Sequence, residues 1–471
     1  MIRASWERFA LAACALSLVW LGVVVWSRWL FPWPVEWLEG ATLQHVERVV
    51  AGRSLYPEPQ HDFVPLLYPP LAYFAMALPA WLFGGSLPVL RAASLACLIV
   101  SVGLIARMAS RHAGVRGAGF VAVAWFALGF GYAGAFVDLA RVDGVWLCLC
   151  LAGAERLQAR RWRAALLWLA VSVLAKQHGL FLLAAASLWL VVRTGRAAVP
   201  AIAPAWVCLL ASLATLQALT DGRFLRYTLA VPHAHGFEAH LVLSYGLVDV
   251  CLYLPVMAWA CFTALLRRAR SRRGLCALDV TLLAALVVSA LGRAHPGGFD
   301  NVRLPGFAFV CIVGAGELAR RLRATRRGPS LGLQLLALVQ LGMLAQAPAI
   351  HMPGPEARRG FERLQGALSA CDGPSGRPVA FDYGPPLSAP ALHTMALSDL
   401  HMAGGSLATK ADAALVAWLK SATRPGVVGL GASFDALTRA VEQHYVLCRS
   451  VAAPRMTTGY QPPPVRIYRA R

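Results

Sequence analysis

VEWLEGATLQHVERVVAGRSLYPEP, residues 35–59, follows the first long apolar run of the chain and carries four carboxylates, Glu36, Glu39, Glu47 and Glu58. Carboxylates are scarce elsewhere: 23 acidic residues stand against 44 basic ones among 471. Wound at 100° per residue, Val35, Leu38, Thr42, Val46 and Val49 form one stripe. Glu36, Leu43 and Glu47 form a neighbouring face, with Glu39 between the two. The pattern predicts a helix resting on a membrane surface, apolar side down. Glu39 then sits where the apolar face meets water, and lost hydration raises its pKa toward that of a proton acceptor working near neutral pH. A plain interfacial helix with a solvated acidic face fits the same periodicity. Gly40 leaves room for the close approach of a ligand.

Outward from this stretch the chain is 58% hydrophobic and 14% charged. A soluble domain carries about 25% charged residues, so a large soluble enzyme is excluded and a polytopic α-helical membrane protein is indicated. Apolar segments fall at 10–31, 68–84, 87–107, 117–136, 143–157, 163–175, 177–192, 198–219, 243–266, 277–293, 302–319 and 331–348. Arginine clusters lie between them, for example RRARSRR at 267–273 and RRLRATRR at 320–327. The formal charge of +21 is therefore the mark of cytoplasmic loops, and nucleic acid is not an expected partner. Setting every cluster in the cytoplasm puts the N-terminus inside, as an uncleaved signal anchor. It puts the loops at 32–67, 137–142, 176–178, 220–242 and 294–301 outside, with everything after 350. About eleven to thirteen crossings are expected at one per apolar stretch. The path needs an odd number of crossings between 67 and 107, yet two apolar segments lie there. Segment 68–84 is short and holds Pro69, Pro70 and Pro79, which favours a non-crossing or tilted helix. The junction Lys176-Gln177-His178 joins two short segments and is expected to be recessed in the membrane, lining a wet cavity.

Near 350 the composition shifts. Residues 1–350 form the membrane domain, and 351–471 read as a small α/β domain. RPVAFDYG, GVVGLGAS and HYVLCRS read as strands, and GPEARRGFERLQGALSAC, DAALVAWLKSA and FDALTRAVEQ as helices. Of eleven cysteines only Cys371 and Cys448 lie in this polar region. They form a disulfide if it is extracytoplasmic, or are two unrelated thiols.

The order of parts resembles the GT-C membrane glycosyltransferases, among them protein O-mannosyltransferases, the lipid A aminoarabinose transferase and Rgt-type bacterial enzymes. The resemblance runs over about residues 30–320. It rests on the acidic first loop with GRSLY, then YPPLAYF, WLFGGSLPVLRAAS, DLARVDGVWLCLCLAG, LAKQHGLFLL and GGFDNVRLPGFAFV. It implies a GT-C-like fold in a bacterial cytoplasmic (inner) membrane, with the N-terminus cytoplasmic and the C-terminal domain periplasmic. It implies inverting transfer of a sugar from a polyprenyl phosphate to a hydroxyl of a glycan, lipid or protein acceptor. Where that superfamily carries an adjacent Asp-Glu pair, Glu36 and Glu39 stand here, separated by Trp37-Leu38. The resemblance places the base on Glu39, with Glu36 as alternate, and a second acidic position on Asp143. A departing phosphate needs cations. Arg141, Lys176, His178, His295 and Arg303 are the candidates, Lys176 foremost, with Tyr68 and Asn301 as substrate-binding residues. Asp138–Arg141 and Arg141–Asp143 ion pairs are the plainer readings of that loop. Loop histidines His233, His235 and His240 lack metal-ligand spacing. No cofactor is implied, and a divalent metal stays open. The alternative, a polytopic transporter or lipid flippase, predicts charges in mid-span and repeated halves; neither pattern is visible.

Overall fold

The computed structural model describes residues 2–272, 274–324, 330–372, 378–383, 393–421, 423–431, 435–461 and 463–471. Each apolar segment is helical. The first is α1 (Ile2–Trp29), which leads through the acidic loop into α2 (Glu39–Val50). Then come α3 (Leu71–Phe83), α4 (Leu87–Ala113), α5 (Arg116–Leu128), α6 (Val142–Gln158), α7 (Trp162–Ala175), α8 (Gly179–Thr194) and α9 (Val199–Leu219). Three short turns follow, α10 (Arg223–Leu225), α11 (Val231–Ala234) and α12 (Ala239–Ser244), and then α13 (Pro255–Ala269), α14 (Ala277–Ala294), α15 (Leu304–Ala324) and α16 (Ser330–Leu344). By length and composition, six helical stretches among the described residues can cross a membrane, or seven if the pair Ala239–Leu252 and Pro255–Ala269, bent by 104°, is one span. Outward-facing apolar residues such as Leu16, Leu188, Val192 and Leu210 are more than half exposed, as a lipid-facing surface requires.

Hydrogen bonds sort the helix ends into two faces. On one, Arg111 reaches Glu155, Arg268 reaches His112, Arg193 reaches the Leu275 carbonyl and Arg323 the Ala113 carbonyl. This gathers the arginine-rich turns at α4–α5, α6–α7, α8–α9 and α13–α14 with the end of α15. The rest of RRLRATRR, 325–327, lies outside the described residues. On the opposite face, the loop face, Trp29 donates to the Pro88 carbonyl and Gln177 to that of Leu67.

The parity problem is resolved here. Arg91, near the start of α4, bonds the carbonyls of Arg28 and Phe31 at the end of α1, so α4 begins at the loop face. α3 starts beside that loop, where Tyr56 Oη donates to the Tyr68 carbonyl, and is only three residues from α4. It therefore enters and leaves on one side. Its 13 residues span about 20 Å, short of a ~30 Å hydrocarbon core. One side packs on α2, while Leu78, Trp81 and Phe83 face outward, 64–76% exposed.

The C-terminal unit is α17 (Pro355–Asp372), β1 (Val379–Ala380), α18 (Thr394–Ala403), α19 (Ser406–Lys420), β2 (Val427–Leu430), α20 (Asp435–His444), β3 (Tyr445–Val451) and β4 (Val465–Ala470). The sheet order is β1-β2-β4-β3, with β1 parallel to β2 and the other pairs antiparallel. The three strands read from the sequence are present in their described parts. The fourth, β4, escaped that reading and is interior, pairing with both β2 and β3. Of the two readings of Cys371 and Cys448, the disulfide is the one observed.

Because β4 joins β3 to the rest of the sheet, truncation after residue 464 is expected to unravel this unit. Limited proteolysis should then degrade the C-terminal part and spare the helical body. An equally resistant C-terminal fragment would show that β1–β3 stand without it.

Candidate active site

The acidic loop is built around Glu39, which is fully buried. Arg91 grips it in a two-pronged pair, Nε to Oε1 at 2.8 Å and Nη2 to Oε2 at 2.6 Å. The backbone N–H groups of Val35 and Ala140 donate to the same two oxygens at 2.9 and 3.0 Å. The remaining guanidinium donors cap the carbonyls of Arg28, Phe31 and Trp33. Burial pushes the Glu39 carboxyl up, but the Arg91 charge and these hydrogen bonds together hold it below its ordinary value. The sequence placed Glu39 at a wet rim. The structure corrects that placement: the side chain is turned into the protein and its acceptor capacity is taken.

Glu36 is also sealed from solvent. Arg141 Nη1 lies 3.0 Å from its carboxylate, and the Leu38 N–H donates to Oε2 at 3.0 Å. Burial raises the Glu36 carboxyl to about 7 against the opposing pull of Arg141. Burial alone would lower Arg141, but Glu36, Tyr68 and Asp143 hold its guanidinium protonated above the ordinary range. Gly459, at φ +75°, passes so close that a Cβ there would stand 3.0 Å from Glu36 Cγ. The C-terminal segment thus lies directly over the acidic loop, and the N–H groups of Thr457 and Thr458 donate to the Val35 carbonyl.

Beside this loop lies a cavity of about 620 Å³. Its polar end is formed by Arg141, Lys176, His178, Asn301 and Tyr68. Lys176 is the C-cap of α7 and sits in the recessed junction expected for it. Its Nζ donates to Asp143 Oδ1 at 2.7 Å and lies over the rings of Tyr68 and Trp146 at 5.7 and 5.3 Å. Asn301 Nδ2 donates to the same Asp143 oxygen at 3.1 Å, and Arg141 Nε is 3.7 Å from the other. Asp143 is itself fully buried and lies behind these donors. Among the described residues Lys176 has no other hydrogen-bond acceptor, so two of its N–H bonds are left for a ligand. Burial, then Lys176 and His295, lower His178 to about 3, so its ring is neutral. The wall away from this end is apolar, and Phe181, Leu229 and Phe237 are 42–62% exposed at its rim.

His295 lines the cavity and its Nε2 donates to the Pro232 carbonyl at 3.2 Å. His233 and His235 line it too, whereas His240 is exposed beside Glu238. Arg303 is not among the lining residues; it is committed to Asp249 and Asp300 beneath Tyr132. Asp138 pairs with Arg28 at 2.7 Å, which replaces the expected Asp138–Arg141 pair. Among the described residues no group of three or more His, Cys, Asp or Glu is arranged to hold a metal.

Sequence reasoning missed Arg28 and Arg91, because partners distant in the chain leave no local signal. It also missed the roof. α18 of the C-terminal unit places Met395 and Asp399 in the cavity lining. His393 Nδ1 accepts from the Met395 N–H and its Nε2 donates to the Trp37 carbonyl at 3.0 Å. On the far side His235 Nε2 donates to the Asp399 carbonyl at 2.7 Å. These two bonds fasten the roof to the acidic loop and to the turn after α11.

The fold is that of solved ArnT structures. The crystal structure of ArnT from Cupriavidus metallidurans bound to undecaprenyl phosphate matches with a TM-score of 0.61 and 12% identity, over 97% of each chain. The apo-state structure of the same protein matches at 0.60 and 14%, over 97% of this chain and 98% of that one. No protein-family model and no curated protein matches the sequence.

Breaking a buried ion pair by removing one partner costs about 3–5 kcal/mol. Arg91→Met is therefore expected to lower the melting temperature of the detergent-purified protein sharply. The double variant Glu39→Gln/Arg91→Met should recover much of the loss, a coupling that a double-mutant cycle reads directly.

Proposed function

We propose that this protein is a membrane glycosyltransferase that takes a sugar from a polyprenyl phosphate and places it on an acceptor hydroxyl at the extracytoplasmic face of a bacterial cytoplasmic membrane. One observation carries the reading: a cavity at the loop face whose polar end is an array of hydrogen-bond donors and cations and whose rim is apolar and exposed. A polyprenyl phosphate needs both, a charged pocket for its head and a greasy portal for its tail. The fold agrees, since a protein of the same architecture has been crystallised with undecaprenyl phosphate. The arginine-rich turns gather on the opposite face, which the positive-inside rule puts in the cytoplasm. The cavity and the disulfide-bonded C-terminal unit then lie outside.

The chemistry follows from the donors. Lys176, Arg141 and Asn301 converge where a phosphate can sit, with neutral His178 at the same end. As the bond from the anomeric carbon to the phosphate oxygen breaks, charge gathers on that phosphate. Preorganised cations stabilise it more in the transition state than in the ground state. Asp143 and Glu36 act through these cations, Asp143 by fixing Lys176 and Asn301 and Glu36 by fixing Arg141. Glu39 shapes the loop through Arg91. Tyr68 packs its ring against the Lys176 ammonium, and His295 braces α11. A single displacement at the anomeric carbon, with inversion, suits a site in which Glu36, Glu39 and Asp143 are engaged by cations behind the cavity wall.

A hydrogen bond to a charged group contributes about 1.5–3 kcal/mol, or roughly 10–150-fold in affinity. Lys176→Met is expected to weaken binding of undecaprenyl phosphate by that factor in a detergent-solubilised equilibrium assay. It should also depress release of polyprenyl phosphate from a labelled sugar donor. Unchanged affinity in both Lys176→Met and Arg141→Met would remove the phosphate site.

A further inference from the structure

Four carboxylates of the acidic loop and of the α6 entrance are each taken by a cation. Glu39 is held by Arg91, Glu36 by Arg141, Asp138 by Arg28 and Asp143 by Lys176. None of these four lines the cavity; the one carboxylate that does, among the described residues, is Asp399. It comes from α18, in the C-terminal unit. Its side chain has no hydrogen-bond partner among the described residues, and its backbone is fixed by His235.

We propose that Asp399 takes the proton of the acceptor hydroxyl, so that the C-terminal unit completes the active site and does not merely cover it. The inference rests on the glycosyltransferase reading above and names the group which that reading leaves open. In the step, the acceptor oxygen bonds the anomeric carbon while the bond from that carbon to the phosphate oxygen breaks. The bonding pair leaves with the polyprenyl phosphate. The hydroxyl proton passes to the Asp399 carboxylate, which later returns it to water. The placement suits two substrates arriving from different sides: the lipid phosphate at the Lys176 end, near the bilayer, and the acceptor under the roof.

The groups around Asp399 are consistent with this role. Arg141 and Tyr68 face it from the loop before α6 and the loop before α3, and both sense its charge. Lys176, His233, His235 and His295 line the same cavity. On the packed neighbour α19, Asp412 is bound to His401 and Lys410 to Glu58, so neither is directed at Asp399. Burial raises the Asp399 carboxyl to about 7 against the pull of Arg141. Below that pH the group is protonated and cannot accept; above it, it can. Activity governed by Asp399 therefore rises as pH passes upward through about 7.

The test uses the full-length protein in liposomes, with radiolabelled undecaprenyl-phosphate hexoses and pentoses as donors and an envelope extract as acceptor. Asp399→Asn is expected to lose about 10²–10⁴-fold in transfer while binding undecaprenyl phosphate within about twofold of the parent. It should also lose the rising pH limb, and Asp399→Glu should restore part of both. Transfer by Asp399→Asn with the parental limb, or loss of the limb in Glu36→Gln instead, overturns the proposal. A parent protein that binds no undecaprenyl phosphate overturns the broader reading. A second measurement needs no turnover: dicyclohexylcarbodiimide modifies protonated carboxyls in apolar surroundings. Peptide mapping should find Asp399 labelled below about 7, less so above it, and protected by undecaprenyl phosphate. Absence of label at Asp399 below that pH contradicts a cavity-facing carboxyl.

Discussion

A single buried ion pair, Glu39 on Arg91, organises the whole loop face. Arg91 comes from the first turn of α4, yet its guanidinium gathers the end of α1, the acidic loop and, through Glu39, the backbone of Ala140 ahead of α6. Three separate segments are thereby fixed to one another at the point where they leave the membrane domain. Such a pair contributes little net stability once the desolvation of both charges is counted. What it supplies is geometry, since its seven hydrogen bonds admit a single arrangement of the loop. Glu36 and Asp143 repeat the device a few ångströms away, each placing a cation at the cavity wall. A chain poor in carboxylates has used them as fixtures for arginines and a lysine, and the cations of the cavity wall stand where these fixtures put them.

That economy separates two roles that the linear sequence cannot tell apart. Glu36, Glu39 and Asp143 look alike on paper, as acids near a membrane boundary. In three dimensions all three are buried and paired with cations, and other groups face the open volume. Lys176 does so because α7 ends at Ala175 and α8 begins at Gly179, which leaves a buried ammonium with spare donors at the junction.

Much of the architecture was legible because apolar runs and arginine clusters are composition signals, and composition survives without knowledge of contacts. The non-crossing nature of α3 was readable from its prolines and short length. Most of α2 was readable from periodicity, although Val35–Leu38 stand outside the helix, and the helix break at Lys176 from two short neighbours. Glu39 was misplaced because a wheel shows which face a residue occupies but not what arrives to cover it. Its partner lies 52 residues away. Asp399 carried no signal at all: HTMALSDLHMAGG has an ordinary helical look, and only the tertiary arrangement brings it over the cavity. β4 was overlooked although VRIYRA alternates in the manner of a strand.

The roof has a bearing on how the molecule comes into being. The apolar helices, the cations of the cavity wall and its apolar rim all come before residue 351, whereas the strap that embraces Val35 is Thr457–Thr458, more than a hundred residues further along the chain. A half-made chain already inserted in the bilayer would hold a gaping, incomplete pocket. Only when α18 and Thr457–Thr458 have closed back on the amino-terminal loop is the chamber roofed, so its completion waits on chain far removed from the helices that build its walls.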